Sequence, residues 1–311
     1  MINILMSGST GFVGRNLIKY LPSKQFNIYP LERSDSKSAN GFKWHNLNAD
    51  SLSTINTIIH LAGKAHDTKQ TSASQEYFEV NTELTKKLFD LFLTGSSTTF
   101  IFMSSVKAVA DTVNSILNED VDPNPQTAYG KSKQKAEEYL LSQKLPEGKR
   151  LFILRPCMIH GPGNKGNLNL LYNFVQKGIP YPLSAYKNER SFLSVDNLNF
   201  IIAQIAGIPS IPGGIYNLAD DTPLSTNEVV NIIAKENKIT PKLWRINSRI
   251  INFLARTGDI LHLPLNTERL KKLTESYVVS NKKIKKILNI TQLPFSAEDG
   301  LKLTIRSFHS S

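Results

Sequence analysis

The chain has 311 residues, 40% hydrophobic and 20% charged, with a formal net charge of +11; this length and balance support a packed core and exclude a disordered polyelectrolyte. Its one cysteine, Cys157, excludes an internal disulfide and fits a reducing compartment. No basic leader precedes the first apolar residues and no apolar run is long enough to span a bilayer, so the chain is expected in the cytoplasm without an integral membrane segment.

Residues 2–6 read as a buried strand that runs directly into three glycines, Gly8, Gly11 and Gly14, with an amphipathic helix following at once. Strand, glycine turn and helix in that order bring backbone N–H groups and the positive helix end to a pyrophosphate. Further strand-like runs at 26–31, 57–61, 99–103 and 151–154 alternate with helical patterns, among them 74–93 and 126–143, the signature of a parallel α/β sheet. The second strand ends at Glu32 and Arg33. Glu32 suits the ribose hydroxyls of NAD, whereas Arg33 with Ser34 suits the extra phosphate of NADP, so both dinucleotides remain open.

After the strand at 99–103 stand Ser104 and Ser105, and on the next helix Tyr129 and Lys133 are four residues apart, hence on one face. An ammonium there is expected to lower the phenol pKa and let Tyr129 pass a proton near neutral pH. A glycine- and proline-rich passage at 160–166, an apolar helix and the loop at 178–182 have the composition of a binding site. Residues 243–254, with Trp244, Arg245, Arg249, Phe253 and Arg256 in or beside them, form an amphipathic basic pattern that suits a membrane surface or a helix packed on a second domain. The late lysine pairs carry no interleaved aromatic residues, so a solvated face is expected rather than a nucleic-acid groove.

Taken together, Gly8, Gly11 and Gly14, the strand end His60-Leu61-Ala62-Gly63, Asn81, Ser104 with Ser105, Tyr129 with Lys133, and Leu154-Arg155-Pro156 resemble the extended short-chain dehydrogenase/reductases of the NAD-dependent epimerase/dehydratase family of nucleotide-sugar enzymes. The resemblance implies a Rossmann-type doubly wound parallel sheet with a smaller, mixed α/β C-terminal substrate domain. The dinucleotide-binding part would span 1–157 plus about 191–213, and the sugar-binding part about 158–190 plus 214–311. It implies a catalytic trio of Ser105, Tyr129 and Lys133, with Ser104 as the fallback for Ser105. By the same likeness the cofactor would meet Gly8, Thr10, Gly11, Phe12, Val13, Gly14, Glu32, Arg33, Asn46, Leu47, Leu61, Ala62, Gly63, Asn81, Ser104, Tyr129, Lys133 and Pro156. Lys165, Asn167 and Arg190 would line the substrate pocket, Arg190 at the diphosphate. No metal is expected, and helices 74–93 and 126–143 are candidates for a homodimer contact.

Three positions depart from the family pattern: Val109-Ala110 where Tyr-Gly is common, His160 where Tyr is common, and Asn46 where Asp usually precedes Leu47. His160 is expected to pack rather than catalyse. Val106 and Lys107 occupy the place of the acidic pair used by the family's 4,6-dehydratases, which argues against dehydration. The motifs around 104–107, 163–167, 179–183 and 188–191 are most similar to reductases and epimerases acting on UDP-N-acetylhexosamines. The leading expectation is reduction of a UDP-4-keto-6-deoxy-N-acetylhexosamine for surface polysaccharide. The alternatives are 4-epimerisation of UDP-glucose or UDP-N-acetylglucosamine with tightly held NAD and, from another class, a non-catalytic dinucleotide sensor or scaffold.

Overall fold

The computed structural model describes residues 1–32, 41–64, 74–164, 166–261 and 266–309, and of Asn167 the backbone alone. Strand β1 (Ile2–Ser7) sends Ile4 and Met6 into one core and Leu5 into another. Strand β2 (Phe26–Glu32) lies beside it and carries the short β3 (Phe42–Lys43) on its outer edge. The alternation recurs in β4 (Thr57–His60), where Ile58 and Ile59 face opposite ways, and in β5 (Thr99–Met103), where Phe100 and Phe102 oppose Ile101 and Met103. In β6 (Arg150–Pro156), Leu151 and Ile153 oppose Phe152 and Leu154. Strands apolar on both faces must be covered on both, which a parallel sheet between helical layers provides.

Helix α1 (Phe12–Tyr20) follows β1, and its Leu17 lies in the first core. The opposite face is closed by a run that begins with α2 (Ser74–Phe78), passes through a π turn (Glu79–Glu83) and continues as α3 (Leu84–Thr94). Leu88, Phe89 and Phe92 of α3 pack there with Ala136 and Leu140 of α4 (Ala128–Ser142). Each such fully buried Leu or Phe contributes roughly 1.5–3 kcal/mol. The pattern at 74–93 predicts one helix; the π turn divides it, and this widened turn carries the buried Asn81.

Beyond β6, β7 (Met158–His160) leads to α5 (Asn167–Gln176) and then pairs in parallel with β8 (Phe192–Ser194). Helix α6 (Val195–Gly207) returns over the first core through Leu198, Ile201, Ile202 and Ile205. Strand β9 (Gly214–Leu218) then pairs with β6 and completes a seven-stranded sheet of order β3-β2-β1-β4-β5-β6-β9, parallel throughout. Residues 214–218, assigned from the sequence to the sugar-binding part, thus form a strand of the large sheet.

The remaining helices are α7 (Thr226–Glu236), α8 (Ser248–Leu261), α9 (Thr267–Thr274), α10 (Lys282–Leu288) and α11 (Ala297–His309). All but α10 share a separate core with α5 and β8, built on residues such as Leu168, Phe192, Ile233, Leu270 and Leu301; α10 places Ile284 in the first core, against β9. Helix α8 starts later and runs further than the 243–254 pattern suggested, because Leu243 and Arg245 make strand-like bridges to Tyr181 and Leu183. The chain reverses direction across the sheet between β1 and β4, and Ser7, His60, Met103 and Pro156 all stand at carboxyl ends of strands, where such sheets bind ligands.

Candidate active site

The turn after β1 is shaped by space as much as by conformation. Gly8 has φ +72°, and a Cβ on it would lie 2.7 Å from Ala62 N; a Cβ on Gly14 would lie 2.3 Å from Gly8 O. The Gly11 N–H donates to Gly8 O at 3.0 Å and closes the turn. Gly11 is also the N-cap of α1 and supplies no side-chain cap, so no capping side chain stands between the first turn of the helix and an anion. These are the features a dinucleotide pyrophosphate requires, and Thr10, Phe12 and Val13 lie on the same turn. Replacing Gly14 by Ala is expected to weaken NAD(P) binding by about tenfold or more, ~1.4 kcal/mol, because the methyl meets backbone that has to move; a dinucleotide titration followed by fluorescence checks it.

Behind the turn a buried polar chain links β1, β4 and the π turn. Ser7 Oγ lies 2.6 Å from His60 Nδ1, and His60 Nε2 lies 2.9 Å from Thr85 Oγ1. Ser7 Oγ accepts from Ala62 N at 3.1 Å, and the Thr85 hydroxyl donates to Asn81 O at 2.8 Å. With those roles taken, the arrangement that satisfies every group has Ser7 donating to Nδ1 and a neutral imidazole donating from Nε2. Burial, and after it the Lys133 charge, push His60 down to about 3 from an ordinary 6.5. An unfolded chain takes up this proton near pH 6.5 and the folded one only near 3, so the stabilisation is complete above 6.5 and is lost as pH falls toward 3. Urea unfolding between pH 7 and 4 should show a slope approaching about 1.4 kcal/mol per pH unit from this group, flattened in His60→Gln.

Asn81 fixes the segment after β4: its Oδ1 accepts from Lys64 N at 2.7 Å, while Nδ2 donates to Lys64 O at 3.1 Å and to Ser132 Oγ at 2.9 Å. A Cβ on Gly63 would sit 3.0 Å from Lys133 Nζ and 3.1 Å from Asn81 Oδ1, so Leu61, Ala62, Gly63, Asn81 and Lys133 converge on one locality.

Ser105 lies two residues past β5 and caps a 3₁₀ turn by accepting from Lys107 N at 3.2 Å. Its hydroxyl stands close enough to the Tyr129 phenol to lower that group's pKa, and Tyr129 enters from the first turn of α4 and packs edge-on to Tyr77 with ring centres 6.4 Å apart. The entry of α4 is fixed by Thr127, whose hydroxyl accepts from Gly130 N at 3.2 Å, and by Asp111, which accepts from Gln126 N at 2.7 Å. Ser105 and Tyr129 are therefore brought together as expected.

Lys133 behaves differently from the expectation. Its Nζ donates to Met103 O at 2.8 Å and sits 4.9 Å from the centre of the Phe102 ring. The Tyr129 pKa is raised by burial, opposed by the neighbouring Ser105 hydroxyl and reinforced by Tyr77, and Lys133 is not among its causes. The shared helix face holds, but the long side chain reaches the strand end instead of the phenol. Lys133 itself is lowered to about 8 by burial, against the pull of Glu137.

Ser104 turns the other way, donating to Glu137, so it is remote from the role of an alternate for Ser105. Arg155 Nε donates to both Glu137 oxygens at 3.1 and 3.0 Å, and Arg155 and Glu137 are both buried. The sequence reading did not single out Glu137; its signal was a carboxylate four residues past Lys133 on a helix whose apolar stripe faces the sheet.

Among the residues expected at the substrate, Arg190 Nε donates to Glu275 O at 3.2 Å and its Nη2 to Lys272 O, so part of the guanidinium fork holds the end of α9. Lys107 Nζ donates to Asp111 O at 2.7 Å and stands 4.4 Å from the Tyr277 ring centre. Arg33, Ser34 and Lys165 lie outside the described residues, as does the Asn167 side chain. Glu32 faces Lys43 Nζ at 3.4 Å, Asn46 is exposed at the end of a 3₁₀ turn, and Leu47 packs into the core of its sheet face. Pro156 ends β6 opposite Leu218. His160 is a buried packing residue bonded to Thr304 Oγ1 at 2.8 Å; it closes a strand and does not lie in a loop. Cys157 is buried directly after β6, and burial raises its thiol pKa well above the ordinary value.

Residues 4–219 match the family model of the NAD dependent epimerase/dehydratase family. The chain belongs to that family. It is accordingly an NAD(P)-dependent enzyme. The family member is 32% identical to a UDP-glucose 4-epimerase of Vibrio cholerae over 75% of each chain. It is 26% identical to N-acetyl-alpha-D-glucosaminyl-diphospho-ditrans,octacis-undecaprenol 4-epimerase of Escherichia coli O157:H7, over 98% of this chain and 94% of that one. Among solved structures, MoeE5 in complex with UDP-glucose and NAD superposes with a TM-score of 0.75 at 19% identity, over 99% of both chains. That likeness extends the shared fold through the C-terminal part as well.

Proposed function

We propose that this enzyme reduces the carbonyl at C4 of a UDP-4-keto-6-deoxy-N-acetylhexosamine, a step in making surface-polysaccharide precursors. The observation that carries the reading is the proximity of the Ser105 and Tyr129 hydroxyls at the carboxyl edge of the sheet, just after β5. Bound NAD(P)H supplies the hydride that the C4 carbon accepts. Ser105 holds the C4 oxygen, and Tyr129 gives that oxygen its proton. The raised phenol pKa keeps the proton on Tyr129 at neutral pH, the state a donor needs. Lys133 and Asn81 sit together beside Gly63 and position the nicotinamide end. Neither Val106, which is buried in the core, nor Lys107, tied to Asp111, offers a carboxylate for dehydration.

A second reading, 4-epimerisation, is favoured by the Vibrio cholerae and Escherichia coli relatives, whose names state that activity. Purified protein is mixed with UDP-4-keto-6-deoxy-N-acetylglucosamine and NADPH or NADH while the reduced-nicotinamide absorbance is followed. Sugar-dependent consumption supports the reductase and selects the dinucleotide. No consumption, with interconversion of UDP-N-acetylglucosamine and its C4 epimer, transfers the assignment to the epimerase. Silence in both assays overturns both readings.

A further inference from the structure

Helix α8 presents far more apolar surface than the fold uses. Its buried residues are Ile251, Ala255 and Gly258, a thin seam of small contact. At about 100° per residue, Ile260, Phe253, Ile250, Leu261 and Leu254 follow one another around a continuous sector of about 120° that adjoins this seam and points away from the core. All five are exposed, Phe253 at 69% and Ile260 at 77%. Thr257 falls within the sector, and its hydroxyl is satisfied internally by Phe253 O at 3.1 Å. The outer edge of the sector is lined by Arg249 and Arg256, both exposed, and neither has an ion-pair partner among the described residues. Trp244, 56% exposed, and Arg245 precede the helix.

We infer that α8 is a peripheral docking element that lies in the headgroup layer of an anionic phospholipid bilayer, its apolar sector against the acyl chains and Arg249 and Arg256 against the phosphates. A continuous apolar stripe bordered by arginine is the pattern of an interfacial helix, and each basic side chain near an anionic surface adds attraction that salt weakens. A second copy of the chain fits less well. The only acidic residue of α8, Asp259, lies beyond the arginine edge, where its Oδ1 accepts from Thr267 N at 3.0 Å, and leaves the arginines of a two-fold pair without carboxylates to meet. No described helix is long and apolar enough to cross a membrane, so the contact is a surface one. Its place matters to the sugar site: Tyr186 OH donates to Ser248 O and Asn252 Oδ1 at 3.3 and 3.2 Å, and α9, whose end holds Arg190, packs on α8. The inference does not depend on which reaction occurs at C4.

The test is sedimentation of the whole protein with vesicles of phosphatidylcholine alone or mixed with phosphatidylglycerol, at low and high salt, alongside its oligomeric state by analytical ultracentrifugation. Expected are binding to the mixed vesicles that falls with salt, and a loss of about tenfold or more in Phe253→Ser/Ile260→Ser and in Arg249→Gln/Arg256→Gln. These side chains are exposed, and unchanged circular dichroism identifies folded variants. Absence of binding at low salt, or binding untouched by either double variant, overturns the proposal. So does conversion of an oligomer to monomer by Phe253→Ser/Ile260→Ser, which assigns the face to a second copy.

Discussion

Tyr129→Phe lowers kcat by roughly a hundred- to ten-thousand-fold, the range for loss of one positioned proton donor, while dinucleotide affinity and unfolding midpoint stay close to wild type. The phenol interacts with the Ser105 hydroxyl, which keeps its bond from Lys107 N, so its loss leaves no orphaned group in the core. The ring keeps its packing on Tyr77. Steady-state kinetics with a dinucleotide titration on the same preparation checks the split. Unchanged turnover rejects Tyr129 as the donor, and a parallel loss of stability assigns it a structural role instead.

Arg155→Leu has the largest expected effect on stability, a loss of about 3–5 kcal/mol, because it strands a carboxylate inside the protein. Arg155 donates from Nε to both oxygens of Glu137, both residues are buried, and Ser104 donates to the same carboxylate. Replacing the two together, Arg155→Leu with Glu137→Leu, is expected to recover much of that loss, since the desolvation of both charges disappears with them. Urea unfolding of the wild type, both single variants and the double variant measures the coupling. Additive losses would show that the pair does not act as a unit.

Much of the N-terminal half was legible because its strands carry a pattern that admits few alternatives. Residues 99–103 form the strand their apolar run predicts, and the glycines at 8, 11 and 14 form the turn that their spacing implies. Ser105 and Tyr129 meet because a strand end and a helix start are fixed relative to one another by the sheet. Lys133 was misjudged for a physical reason: helical spacing fixes where its Cβ stands but not where four methylenes carry the ammonium, and a carbonyl at the end of β5 attracted it. Ser104 presents the same problem in the extended backbone just past β5, where neighbours face opposite sides, so one serine of the pair had to point away from the phenol. The C-terminal half was less legible, since β7 and β8 are three residues each and pair across a long excursion through α5. Nothing in a local window announces such a pairing.

The turn after β1 and the segment after β4 are wedged together. Gly8 has no side chain because Ala62 N occupies that space, and the Ala62 amide is tied to Ser7, the residue before Gly8 in the chain. The two segments therefore move as one block, and the Ala62 amide should be among the slowest in the protein to exchange with solvent deuterium.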